Sequence, residues 1–182
     1  CILTSNATCA VPSTAASASI TMTINGGTTN PCDASSTDAN YEYISNVTLG
    51  TINNTTTASN YTNFTNIVSN ITIGQPTALT VALGNAFSTD VVRVWVDWNQ
   101  NGVFTDNAET VFISAQGVGP FNTNITPPAS ALTGITKMRI RLSDASNGDN
   151  ATPCGTSTYG EVEDYSLNVK INSTDIIENE KP

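Results

Sequence analysis

Arg93-Val-Trp-Val-Asp-Trp-Asn-Gln-Asn-Gly-Val-Phe-Thr-Asp106 opens as a strand and ends as a turn. Its first half holds β-branched and aromatic residues, which suit a pleated surface. Its second half holds Asn, Gly and Asp, which suit tight turns. The same alternation runs outward in both directions. Strands are expected near 41–52, 61–65, 69–73, 77–83, 90–98, 109–114, 121–126, 135–143 and 161–170. Clusters such as Asn53-Asn54, Gly74-Gln75-Pro76, Gly84-Asn85 and Pro127-Pro128 separate them. No helical period longer than two turns appears. About nine short antiparallel strands imply an all-β fold, a β-sandwich of the jelly-roll or immunoglobulin-like kind.

Composition agrees. Only 12% of the 182 residues are charged, and the polar surface is built from Thr, Asn and Ser instead. The net charge is −9, with six basic residues and no His. A nucleic-acid binder needs clustered Lys and Arg, so that class is excluded. The same balance is a poor match to anionic membranes and a good one to divalent cations. No run approaches the roughly 20 apolar residues of a membrane span. The sequence starts at Cys1 with no visible signal peptide, as expected for a processed product or a piece of a longer chain. Four cysteines at positions 1, 9, 32 and 154 form no CxxC pair. Without His they assemble no common zinc site, and their wide spacing fits disulfides in an oxidising, extracellular compartment. Cys1 has a second reading, as the acylated first residue of a lipoprotein. Asn-x-Ser/Thr sequons at Asn46, Asn54, Asn60, Asn63, Asn70, Asn124 and Asn150 are glycan acceptors wherever the host has the transferase.

Three segments follow from this reading. Residues 1–31 are a Ser/Thr/Ala-rich extension with one strand, in which Ile20, Met22 and Ile24 alternate with polar residues before Gly26-Gly27. That apolar row needs a groove. Pairing with an edge strand of a neighbouring copy would provide one, and folding back on its own domain would provide another. Residues 32–170 form the sandwich, and 171–182 a tail or linker.

The quoted stretch also carries chemistry. Asp97-x-Asn99-x-Asn101-Gly102 has the alternating oxygen donors of a calcium loop. Val103 adds a carbonyl, and Asp106 or Glu109 closes the set. Glu109 stands thirteenth rather than twelfth, and no flanking helices are expected, so this is not an EF-hand. A metal-free Asn/Gly hairpin turn has the same sequence signature.

A second constellation is Tyr159-Gly-Glu-Val-Glu-Asp-Tyr165. Strand parity puts Glu161 and Glu163 on one face with Tyr165, Leu167 and Val169. Carboxylates beside an apolar layer need a cation or donors. Arg93, Arg139 and Arg141, all within expected strands, are the candidate partners for this carboxylate group, which includes Asp164. Glycoside hydrolysis by two carboxylates is the functional alternative. No cleft signal accompanies it, and without His or a Gly-x-Ser-x-Gly elbow no nucleophilic triad forms. The expectation is therefore no enzyme.

Tyr41-Glu-Tyr-Ile-Ser-Asn-Val-Thr-Leu-Gly-Thr-Ile-Asn53, Trp95-Val-Asp-Trp-Asn-Gln-Asn-Gly102, Met138-Arg-Ile-Arg141, Cys154-Gly and Tyr159-Gly-Glu-Val-Glu-Asp-Tyr165 together resemble the GEVED domain, over roughly residues 32–170. The resemblance implies a secreted or cell-surface β-sandwich that accompanies peptidases, adhesins and sorting domains, with no established catalytic role. Asn101 stands where many relatives carry Asp, which would remove one negative charge from a calcium site. Within this frame Cys32 and Cys154 are expected to bridge, with Cys1 and Cys9 as the second pair. Trp95 and Trp98 lie on opposite strand faces, one expected in the core and the other exposed as a contact residue. Two functions remain. The first is a structural or adhesive module, calcium-stabilised, that associates with itself or with neighbouring domains in a filament or array. The second is a carbohydrate-binding module attached to a secreted hydrolase. A row of exposed aromatics would favour the second, and none is seen.

Overall fold

The computed structural model describes residues 2–4, 14–16 and 31–172. Cys1, Cys9, Ile20, Met22, Ile24 and the tail from 173 onward lie outside the described residues, as do the second disulfide and the assembly strand expected there.

The short strands β1 (Ile2–Thr4) and β2 (Thr14–Ala16) pair antiparallel. The body holds eleven further strands in three sheets. These are β3 (Ala34–Asp38), β4 (Tyr43–Leu49), β5 (Ile52–Thr55), β6 (Tyr61–Thr72), β7 (Thr77–Gly84), β8 (Asp90–Val96), β9 (Thr110–Ile113), β10 (Phe121–Ile125), β11 (Gly134–Asp144), β12 (Gly155–Tyr159) and β13 (Glu161–Lys170). One sheet has the order β10-β7-β4-β5 and is antiparallel throughout. The second has the order β6-β13-β11-β8-β9, in which β6 runs parallel to β13. The parallel pair β12-β3 forms a third, smaller layer. No described helix is long and apolar enough to cross a membrane.

The two large sheets pack face to face through their alternate residues. Val92, Val94 and Val96 of β8, Met138, Ile140 and Leu142 of β11, and Tyr165, Leu167 and Val169 of β13 meet Ile44, Val47 and Leu49 of β4 and Leu79 and Val81 of β7. Each fully buried aliphatic side chain contributes about 1.5–3 kcal/mol before ordering costs. Period-two alternation places every second residue of β8, β11 and β13 in that layer, and β4 joins it across a bulge between Ile44 and Asn46.

The strand count differs from the nine expected, for local reasons. The 41–52 segment turns at Gly50 and Thr51 into β4 and β5. The 61–65 and 69–73 segments are one strand, β6, whose pairing with β13 steps from Phe64 opposite Tyr165 to Val68 opposite Ser166. The residues between them bulge out and break the alternation. β3 and β12 are Ser/Thr-rich and carry no apolar period. The pairing is mostly antiparallel, as expected, with two parallel pairs, β6–β13 and β12–β3.

Neither tryptophan is exposed. Trp98 joins the core and Trp95, on the opposite face, is 2% accessible. The outer face of β8 and β11 is itself covered: Phe104 packs over Arg139, the register neighbour of Trp95.

Candidate functional site

Strand parity divides the charged residues of β11 and β13 between two faces. On the outer face, Arg139 and Asp164 are register partners and form a fork, Nε to Oδ1 and Nη2 to Oδ2, each at 2.7 Å. Arg139 Nη1 also donates to the carbonyls of Cys32 and Pro153, both at 2.8 Å. The Tyr61 hydroxyl donates to Asp164 at 3.1 Å. Arg141 donates to the carbonyls of Gly155 and Ser35 at 2.7 and 3.2 Å, and burial lowers its pKa to about 10. Arg93 pairs with Asp149. Burial pushes the Asp149 carboxyl up, but hydrogen bonds from Arg93 and Ser143 outweigh this and hold it below its usual value. The guanidinium groups thus fasten the β3–β12 layer and the 145–154 loop onto the five-stranded sheet. Cys32 and Cys154 bridge at the same place, with Cα atoms 5.5 Å apart.

Glu161 and Glu163 lie on the inner face, so no arginine reaches them. Glu161 Oε2 accepts the Ile44 N–H at 2.9 Å, and its other oxygen is buried without a partner. Glu163 accepts from Thr56 Oγ1 at 2.9 Å and from the Tyr165 hydroxyl at 2.8 Å. Asn54 Nδ2 donates to the same hydroxyl at 2.9 Å. Burial raises the Glu161 pKa to about 8, with Glu163 adding to the effect, and the Glu163 pKa to about 7. The arginine partnership expected for this pair is corrected by parity. The inner carboxyls are held by neutral donors. Of the three carboxyls, Asp164 is the one that meets an arginine.

Gly160, which joins β12 to β13, explains the first letter of the motif. Its φ is +100°, and a Cβ there would lie 2.1 Å from the Leu142 carbonyl oxygen. An L side chain is strained in that region and would collide with backbone.

The loop after β8 is an acidic turn held by its own amides. Asp97 accepts the N–H groups of Asn101 and Gly102 at 3.1 and 2.8 Å. Asn99 and Asn101 both turn their side-chain nitrogens to Asp106 Oδ2, at 2.9 and 2.6 Å, and these bonds lower the Asp106 pKa. Asn101 Oδ1 accepts the Val103 N–H at 2.8 Å. Glu109 is buried and accepts from Trp98 N at 3.1 Å and Asp106 N at 3.2 Å. Its pKa is raised by burial and by Asp97. Thr136 Oγ1 donates to the Asp97 carbonyl. All six expected ligand positions, Asp97, Asn99, Asn101, Val103, Asp106 and Glu109, therefore belong to one loop. Among the described residues no three His, Cys, Asp or Glu gather tightly enough to hold a metal by themselves. A cation here would draw on the amide oxygens of Asn99 and Asn101 and on the Val103 carbonyl, hard donors that suit calcium.

Two packed sheets with an ionic third layer on one outer face define a class of all-β module. Residues 91–168, the stretch from β8 to β13, match the family model of the GEVED domain. No curated protein matches the chain.

Proposed function

We propose that this chain is a non-catalytic structural or adhesive module of an extracellular surface, stabilised by calcium at the 97–109 loop and associating with copies of itself. The observation that supports this most is the engagement of its chemistry-bearing side chains. Arg139, Arg141, Asp164, Glu161 and Glu163 are at most 2% accessible. They hold strands and layers together, where a catalytic pair would face a cleft. The 12-residue β6 lies at an edge of the five-stranded sheet, a place where an added strand finds backbone partners. The segment 17–25, with Ile20, Met22 and Ile24, has the alternation such a donor needs.

Exposed aromatics bear on the carbohydrate reading. Among the described residues Tyr41, Tyr61 and Phe87 are the most exposed rings. Tyr41 and Phe87 stand in loops and Tyr61 starts β6, so they form no row along one sheet. This favours the structural reading. Deleting residues 1–27 and comparing assembly with the full chain tests it, and calorimetry with calcium after chelation tests the stabilising ion.

A further inference from the structure

A cleft of about 360 Å³ opens where β11 ends and β8 begins, among Tyr41, Glu42, Phe87, Asp144 and Tyr159. Its walls are aromatic. Tyr41 is 55% and Phe87 47% exposed, and Tyr41 meets Tyr159 edge to face at 5.2 Å. Its floor is acidic. Glu42 lines the cleft, is 1% accessible, and its Oε1 has no hydrogen-bond partner. Behind it, Asp90 is fully buried, with Oδ2 accepting the Phe87 N–H at 2.8 Å and Oδ1 unpartnered. Asp90 is the register partner of Asp144, whose oxygens accept from Ser146 N at 2.8 Å and Asn147 Nδ2 at 2.6 Å.

The charged groups that act on Glu42 are Asp90, Asp144 and Asp38, all acids. The two ion pairs among the described residues use Asp149 and Asp164 instead. An ionised buried carboxylate oxygen without a donor is costly, and a positive group seated in the cleft beside Glu42 would offset that cost. A bare metal ion fits badly. The cleft is far larger than an ion, and the carboxyls are not gathered as metal ligands. Aromatic faces beside carboxylates are instead the surroundings that hold an organic cation, with the rings along its stem and the carboxyls at its head.

We propose that this cleft binds a primary ammonium or guanidinium group carried on an aliphatic stem. The site shares no residue with the 97–109 loop and does not rest on the structural reading above. The stem and head belong either to a free amine or to a Lys or Arg side chain of a protein partner. Carboxylate charge is needed, so binding strengthens as pH rises through the region where Glu42 and Asp90 titrate, about 7 and about 6.

The test is an NMR titration of the full chain with 1,5-diaminopentane, methylguanidinium and a blocked lysine peptide. Saturable shifts confined to the cleft are expected at pH 8, weakening by about tenfold or more at pH 5.5. A free-amine site takes the diamine best, and a side-chain site takes the blocked peptide at least as well. Glu42→Gln removes the charge and is expected to abolish binding. Phe87→Ala, at an exposed position, weakens it by about tenfold without lowering the melting temperature, and carries the test if Glu42→Gln does not fold. No saturable shift with any of the three cations overturns the proposal. So does a cleft that responds to calcium or to neutral sugars while ignoring the amines.

Discussion

Arg139 and Asp164 face each other on neighbouring strands and share two hydrogen bonds of 2.7 Å, each side chain at most 3% accessible. The remaining guanidinium nitrogen, Nη1, reaches back to Cys32 and Pro153, so one side chain ties sheet, third layer and disulfide together. Asp164 closes the Gly160-to-Asp164 motif, and its partner lies 25 residues earlier in the chain.

Breaking this pair on one side leaves a buried, uncompensated charge. Asp164→Asn or Arg139→Met is expected to destabilise the domain by about 3–5 kcal/mol in urea unfolding. The double replacement Arg139→Met with Asp164→Leu should recover much of that loss. Equal losses in the single and double variants would show that the charge pairing is not what matters.

The inner carboxyls set a pH dependence of the opposite sense to the usual one. Glu161 and Glu163 have folded pKa values of about 8 and about 7, above the ordinary glutamate value, so the folded state favours their protonated forms. Their contribution is fully present below the unfolded value and is lost as pH rises through the folded values. Asp149 and Asp144 are held low, so their contribution disappears at strongly acidic pH. Stability should therefore rise as pH falls from 8 to about 5, by at least about 1 kcal/mol, before declining further down. Glu163→Gln should flatten the upper part of that curve. A stability that climbs steadily from pH 5 to 8 in the wild-type chain would contradict the assignment.

The Cys32–Cys154 bridge spans 122 residues of sequence. In the chain-entropy model a closure of that length is worth about 4–5 kcal/mol. The Cys32→Ser, Cys154→Ser variant is expected to lose stability of that order and to match the reduced wild-type protein. A variant as stable as the oxidised protein would show that the Arg139 contacts hold the third layer unaided.

Much of this was legible in the sequence because period-two alternation is local. Val92, Val94 and Val96 declare their face without reference to any other strand. Parity likewise placed Glu161 and Glu163 beside Tyr165. It did not choose their partners, because that depends on which face Arg139 presents and on which strand lies beside it. One of the two tryptophans was expected to be exposed because nothing local announces a third layer, and β3 and β12 are polar strands tied down by Arg141, Arg139 and the disulfide. The cleft at Glu42 is also nonlocal: Tyr41, Phe87, Asp144 and Tyr159 come from four separate stretches. A run such as Tyr41-Glu42-Tyr43 gives no hint of it.

Calcium is expected to raise the melting temperature of chelator-treated protein, and Asp97→Asn should remove most of that rise. Gly102, with φ +80°, permits the sharp turn of the loop, so Gly102→Ala should weaken the response as well. A melting temperature indifferent to calcium and chelator, with no heat of binding, would leave the loop as a turn held by its own amides.

The central claim, a module that builds by associating with itself, is tested most directly by sedimentation velocity combined with electron microscopy. The full chain is compared with a chain lacking residues 1–27 over a range of concentrations. The account predicts concentration-dependent oligomers or filaments for the full chain and a monomer for the shortened one, with the melting temperature of the sandwich little changed. A full chain that stays monomeric at high concentration, or a shortened chain that assembles equally well, would contradict it.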